Sequence, residues 1–186
     1  MIHKYPYRIH KPGHNQFPNH LQPYVKLVET NEGFEALMEG ATEFMAMLSV
    51  LPPEKMGYSY QRDKWTVQDV LMHMIDTERM FQNRALRISR KESRALSGFD
   101  QDKYVKNLPN IVRSIESIRD EYETVRKGTF LLFAGLTKVE MKLQGRVSNY
   151  TLTLPSIPFI IAGHEIHHLN ILKERYNIQD IHPTSL

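Results

Sequence analysis

The sequence predicts an all-α protein, a four-helix bundle that follows an N-terminal proline-rich arm. Four long stretches place apolar residues at steps of three and four, which is the pattern of helices with one buried face. Loops of roughly 10–20 residues join these stretches, and helices joined in this way are typical of bundles. Of the 186 residues, 41% are apolar and 24% are charged, a balance that supports one globular domain.

The chain is expected to divide into an arm, a helical domain and a tail. Residues 1–23 carry four prolines and no periodic apolar pattern, so this arm is predicted to lie on the domain or to stay mobile. The helical bundle is assigned to residues 24–178, and residues 179–186 form a short C-terminal tail.

The first two helices have recognisable start and stop signals. The first is predicted from about Thr30, which acts as its cap, to Leu51, after which two prolines end it. The second is predicted from about Thr66, again a capping residue, to Lys91. The long segment between the second and third helices could reach a parallel neighbour, so a simple up-and-down order is not required.

The third helix is predicted from about Pro109 to Leu136, with Ile111 in its buried stripe and the proline in its first turn. The fourth is predicted from about Ser156 to Tyr176. Just before it, apolar residues alternate with threonines over residues 150–154, which allows a short extended segment.

Composition excludes several classes of protein. The chain has no cysteine, which excludes disulfide scaffolds, thiolate zinc ribbons, iron–sulfur ligation and a cysteine nucleophile. Any metal must therefore be held by nitrogen and oxygen ligands, and any thiol must arrive with a substrate. The net charge of +3 is modest, so nucleic-acid binding is not expected. No apolar run reaches a membrane span or a signal peptide, and the protein is expected to be cytoplasmic.

The fourth helix carries the residues with the clearest chemistry, three histidines within five positions. His164 and His168 lie four residues apart and hence one turn apart, a spacing that suits chelation of one ion, and His164 with His167 could also chelate. The apolar stripe of this helix continues through His164 and His168, whereas His167 falls on the flank expected to be wetter. His164 and His168 are therefore the predicted pair.

A zinc or nickel ion needs at least one further protein ligand. The second helix offers His73, which apolar residues flank on both sides. Three neutral imidazoles leave a coordination position open, which is typical of catalytic rather than structural sites. The simpler interpretation of His73 alone is a hydrogen-bonded core residue.

Three further interpretations compete around these histidines. The segment from His164 to His168 also fits the zincin pattern H-E-x-x-H with Glu165 as general base, but the residues that follow do not extend it. Asp69 or Asp76 could orient the ring of His73, although a solvated helix face is the more common role for such residues. Trp65 is expected to anchor the helix start in the bundle.

Two motifs resemble those of the DinB/YfiT-like proteins. They are residues 64–79, KWTVQDVLMHMIDTER, and residues 163–169, GHEIHHL. The segments RALRI at residues 84–88 and GFD at residues 98–100 are also similar to that family, and the resemblance covers roughly residues 24–178.

The resemblance implies a four-helix bundle in which His73, His164 and His168 bind one divalent metal, zinc or nickel, in a homodimer. It also implies a small-molecule enzyme, either a transferase that depends on a low-molecular-weight thiol or a hydrolase. No catalytic residue besides the ligands is assigned. The alternative is a protein without turnover, either a metal-binding protein or one associated with DNA damage or stress.

Overall fold

The computed structural model describes residues 5–178, which contain six α-helices, one β-hairpin and three short 3-10 helices. The predicted tail, residues 179–186, and the first four residues of the arm lie outside the described residues. In chain order the elements are α1 (Gln22–Leu27), α2 (Gly33–Val50), α3 (Val67–Ser89), α4 (Gln101–Lys106), α5 (Ile115–Ala134), β1 (Gln144–Val147), β2 (Tyr150–Thr153) and α6 (Ser156–Tyr176).

The four long helices α2, α3, α5 and α6 form the predicted bundle. Helix α6 packs between α2 and α3, and α5 packs against the same two helices on the opposite side. Helices that follow one another in the chain, α2 with α3 and α5 with α6, therefore lie diagonally across the bundle. This arrangement brings α3 and α6, the helices that carry the histidines, into direct contact.

Helix α3 begins where the sequence predicts, because Thr66 and Asp69 form a reciprocal capping box. The Thr66 hydroxyl accepts a hydrogen bond from the Asp69 amide at 3.1 Å, and the Asp69 carboxylate accepts one from the Thr66 amide at 2.9 Å. Asp69 thus serves the helix terminus rather than the ring of His73. Helix α2 is capped by Glu32 rather than by Thr30, since the Glu32 side chain accepts from the Glu35 amide at 2.9 Å.

Helix α5 begins later than predicted, at Ile115 rather than near Pro109. The Ser114 side chain caps it by accepting a hydrogen bond from the Ser117 amide. Gln68 of α3 holds the preceding segment in a non-helical path through bonds to the Ile111 carbonyl and the Arg113 amide. Ile111, predicted to be buried, is instead 61% exposed.

The extended segment before α6 is strand β2 of a hairpin. It pairs antiparallel with β1, which the sequence analysis did not predict, with Gln144 opposite Thr153 and Val147 opposite Tyr150. Ser148 begins the two-residue turn in the left-handed conformation with φ of 49°. Val147 and Leu152 are fully buried, so the hairpin closes one end of the core beside α6.

The described part of the proline-rich arm lies on the bundle. Ile9 is buried there, and its carbonyl accepts a hydrogen bond from the Gly33 amide at 2.8 Å. Helix α1 spans residues 23 and 24, where the sequence analysis divides arm from domain, and that division stays a prediction. The backbone of α1 touches α6 at Gly163, where an added Cβ would lie 2.0 Å from the Tyr24 carbonyl oxygen. Glycine is required at this contact because any side chain would separate the two helices.

Candidate metal centre

His73 of α3 meets His164 and His168 of α6 inside the bundle. The His164 Nε2 atom lies 3.0 Å from Nε2 of His73 and 3.1 Å from Nε2 of His168. One potential ligand atom from each of the three rings falls within 4.8 Å of the others. His73 and His164 are 3% and 7% exposed, while His168 at 9% is the nearest to solvent. The structure therefore brings together the three histidines that the sequence analysis selects.

His167 is directed elsewhere. It is half-buried, and its ring meets the edge of Tyr24, with a distance of 5.3 Å between ring centroids. The choice of His168 over His167 rested on one apolar stripe along α6. In the structure, residues 156–165 of α6 are buried all round, including Gly163, which was expected on the wetter flank. The stripe distinguishes faces only in the second half of the helix, where His167 and His168 lie.

Aromatic residues hold two of the three imidazoles in place. Trp65 packs against His73 with 4.8 Å between ring centroids, and Tyr24 approaches His164 edge-on at 5.3 Å. Tyr24 comes from helix α1, which the sequence analysis did not predict. The sequence feature that could have indicated its position is Gly163, because a residue without a side chain lets the α1 backbone approach α6 beside the histidines.

All three imidazoles are neutral near pH 7. Burial, together with the smaller effect of the neighbouring His167, lowers the pKa of His73 from 6.5 to about 4. Burial, with His73 and His167 nearby, lowers the pKa of His168 to about 3. Burial and the other three histidines lower the pKa of His164 well below its usual range. A neutral imidazole has a free lone pair, which is the form that binds a metal.

The metal-free protein is expected to lose several kcal/mol of stability as the pH falls from about 6.5 to 4. In this window the unfolded chain binds protons at histidines that stay neutral in the folded chain, because the folded pKa values of His73 and His168 are depressed. Their contribution is complete above pH 6.5 and is lost as the pH falls. Urea unfolding of metal-free protein at pH 7 and pH 5 measures it. His73→Phe should flatten the dependence, and exposed His20→Gln should not.

The donor set fits a divalent transition metal. Three neutral nitrogen ligands converge from two helices, and imidazole suits zinc, nickel and related ions. In the described part of the chain, no carboxylate joins this group. Without an ion, Nε2 of His164 would face Nε2 of His73 at 3.0 Å and Nε2 of His168 at 3.1 Å, although each neutral ring has only one N–H to donate.

Glu165 points away from the histidines into a buried charge network, which contradicts the zincin interpretation. Its carboxylate accepts hydrogen bonds from the Tyr122 hydroxyl at 2.7 Å and from Arg126 at 2.9 Å. Burial raises the pKa of Glu165, and Glu78 raises it further, against the opposing effect of Arg126. Gly40 of α2 makes room for the carboxylate, since a Cβ there would lie 2.2 Å from Oε2 of Glu165. Both carboxylate oxygens are thus hydrogen-bonded to Tyr122 and Arg126 inside the bundle, away from the three histidines.

Arg126 is the centre of this network, which the sequence analysis missed. It donates to Glu78 at 2.9 Å, to Glu165 and to the Leu37 carbonyl at 2.6 Å, and the network thereby ties α5 to α3, α6 and α2. Glu78 is buried here. Tyr122 and Arg126 are four residues apart and therefore share one face of α5, and this spacing is the sequence feature that could have indicated that Arg126 is buried. Asp76 contacts neither this network nor His73 but pairs with Arg79 at 3.4 Å.

A cavity of about 280 Å³ opens beside the histidines. His168 forms part of its wall together with Trp65 and Tyr176. Trp65, predicted to anchor the start of α3, therefore also borders the space in front of the histidines. A larger groove of about 470 Å³ lies between α2 and the Ile166 side of α6, and none of the three histidines lines it. The smaller cavity is the one that chemistry at His168 can reach.

Comparison with known proteins gives one family and two similar folds. The sequence model of the DinB superfamily matches residues 36–172. YfiT from Bacillus subtilis, described as a probable metal-dependent hydrolase with an unusual four-helix bundle topology, superposes with a TM-score of 0.67 over 94% of both chains at 15% identity. No functionally curated protein is significantly similar to the chain in sequence.

The second similar structure is a mycothiol-dependent maleylpyruvate isomerase. It superposes with a TM-score of 0.60 at 11% identity and covers 85% of this chain, whereas this chain spans 65% of the isomerase. At these identities the two superpositions show a shared fold.

Proposed function

The chain belongs to the DinB superfamily, and from that premise we propose that it is a metal-dependent enzyme acting on a small molecule. His73, His164 and His168 hold one divalent ion, zinc or nickel, and the reaction is a thiol-dependent transfer or a hydrolysis. The observation that carries the proposal is the convergence of three buried, neutral imidazoles beside a cavity that opens at His168. A closed structural site would instead have four protein ligands.

When bound, a divalent ion with three neutral ligands supplies a Lewis acid that lowers the pKa of an approaching thiol or water. The residues of the chain position the ligands, exclude water and give the substrate access. Trp65 and Tyr24 fix the rings of His73 and His164, and the apolar surroundings exclude bulk water from that side of the group. His168, the most exposed of the three, faces the cavity, so a substrate reaches the group from there.

The composition is compatible with a thiol as the activated group, and one comparison favours it. The chain has no cysteine, so a sulfur ligand has to arrive with a small molecule. One of the proteins with a similar fold depends on a thiol by its description, while the other is described as a probable hydrolase, so water activation is the second candidate. Glu165 is not positioned as a general base for either reaction, because its carboxylate lies in the buried network with Arg126 and Tyr122 and does not line the cavity at His168.

The non-catalytic alternative is a metal-binding or stress-associated protein. The open cavity at His168 argues against it, since a protein that only stores or senses the ion needs no space of this size in front of it. A homodimer and a cytoplasmic location remain part of the proposal. None of the helices in residues 5–178 combines the length and hydropathy needed to cross a lipid bilayer.

Cobalt-substituted protein tests the proposal. One cobalt ion per chain is expected, and adding 2-mercaptoethanol should produce a new sulfur-to-metal charge-transfer band in the near-ultraviolet. The His164→Ala variant should lose both the ion and the band. A fully loaded protein whose spectrum no thiol perturbs would contradict thiol chemistry and leave water activation, and a protein that binds no ion would contradict the whole proposal.

A further inference from the structure

The cavity at His168 has an aromatic wall that is held in place by its own contacts. The Tyr176 hydroxyl donates a hydrogen bond of 2.7 Å to the Trp65 carbonyl, which fixes the loop before α3 to the end of α6. Tyr60 packs edge-on against Tyr176 with 4.9 Å between ring centroids, and Trp65 packs against His73. Three aromatic rings thus present a preformed apolar surface to any molecule that approaches the histidines.

The rim of the same cavity carries charges of both signs. Lys64 contributes an ammonium group and Asp102 of α4 a carboxylate. Within residues 5–178, neither side chain has an ion pair or a hydrogen bond. The third charged residue of the rim, Asp63, lies 3.8 Å from Arg62. One positive and one negative group are therefore free to pair with a ligand in the cavity.

The backbone at the rim has an unusual conformation. Asp63 adopts the left-handed region with φ of 63°, which L residues rarely occupy. This conformation turns the chain so that residues 63, 64 and 65 all border the cavity. Aspartate adopts this conformation in ordinary turns, so the cavity and its charges alone indicate a ligand.

We propose that the substrate of this site carries an ammonium group and a carboxylate group next to the end that reacts. Lys64 pairs with the carboxylate, Asp102 pairs with the ammonium group, and Tyr60 and Trp65 contact the carbon atoms between those groups and His168. The cavity volume of about 280 Å³ suits a molecule of the size of one or two amino acids. The inference rests on the proposed function, because it assumes that the reacting end meets the ion held by the histidines.

A purely anionic ligand fits the rim less well. Asp63 and Asp102 together oppose a carboxylate that Lys64 alone attracts. A purely cationic ligand would leave Lys64 unpaired, and the positive charge of the ligand would lie close to the ammonium group of Lys64. Only a zwitterion pairs with both free groups, so each of its charges should add to affinity.

Three probes of one carbon skeleton separate these cases: S-methyl-L-cysteine, 2-(methylthio)ethylamine and 3-(methylthio)propionate. They are, in that order, a zwitterion, a cation and an anion, and methylation keeps the sulfur from extracting the metal. Trp65 is the only tryptophan of the chain and borders the cavity, so its fluorescence reports binding directly. At constant ionic strength the zwitterion should bind about three- to fivefold more tightly than either other probe, the effect expected for one exposed ion pair.

Two variants assign the charges. Lys64→Gln should weaken the zwitterion and the anion about three- to fivefold and leave the cation unchanged, whereas Asp102→Asn should weaken the zwitterion and the cation and leave the anion unchanged. Lys103→Gln, an exposed neighbour of Asp102 in α4, is the matched control and should alter none of the three.

Equal affinity for all three probes, or the same ranking in both variants as in the wild type, would overturn the inference. The titrations are repeated on metal-free protein, where the two rim charges persist. If the protein fails to bind metal but the ranking holds, the proposed function fails and the charge assignment stands. If the protein binds metal but the three probes bind with equal affinity, the charge assignment fails and the metal site of the proposed function stands.

Discussion

The Arg126→Met variant is expected to lose about 3–5 kcal/mol of unfolding free energy, the typical cost of removing one partner from a buried ion pair. Arg126 is 3% exposed, and its guanidinium group bridges the carboxylates of Glu78 and Glu165. Its loss therefore leaves two buried carboxylates without a cation between them. Methionine has a similar length and fills much of the space, which limits the cavity contribution. Urea unfolding followed by circular dichroism measures the change.

Two further variants show whether charge or packing causes the loss. Lys127→Met removes a cation from the next, exposed position of α5 and should change stability by less than about 0.5 kcal/mol. Adding Glu78→Gln to Arg126→Met should recover part of the loss, because it removes one of the two uncompensated charges. A double variant that is less stable than Arg126→Met alone would show that the network stabilises the bundle through geometry rather than charge.

Much of the fold follows from local sequence. The apolar period predicted four long helices, and the capping residue Thr66 and the proline pair after Leu51 placed two of their ends within a residue or two. The start of α5 could not be predicted in this way. Pro109 is compatible with a first helical turn, but Gln68, distant in sequence, binds the backbone at Ile111 and Arg113 and keeps that segment out of the helix.

The candidate site was predictable to the extent that it depends on spacing. The i, i+4 pair on α6 and the apolar surroundings of His73 were sufficient to select the three histidines that converge. The parts that depend on tertiary contacts were not predictable. Tyr24 reaches His164 only because α1 packs at Gly163, and Glu165 is diverted from the site only because Arg126 reaches it from α5. Both facts require knowledge of which helices are neighbours.

Removal of any one of the three converging histidines is expected to weaken zinc binding more than about 100-fold. Loss of a hydrogen-bond partner behind a metal ligand already costs about 10–100-fold in affinity, so loss of the ligand itself should cost more. His73→Ala tests the contribution of α3, and His168→Ala tests that of α6. Competition with a chromophoric chelator at pH 7.5 gives the affinities, and circular dichroism confirms that each variant is folded.

His167→Ala is the matched control, because it removes a histidine from the same turn of α6 without removing one of the converging nitrogens. Its zinc affinity should stay within about threefold of wild type. His167 acts on the three histidines through its ring contact with His168, its packing against Tyr24 and its lowering of the pKa of His73 and His168. Wild-type affinity in His73→Ala would reduce that residue to a core histidine and remove α3 from the site. A larger loss in His167→Ala than in His168→Ala would mean that α6 presents its other histidine to the ion, and the cavity beside His168 would then no longer be the route to it.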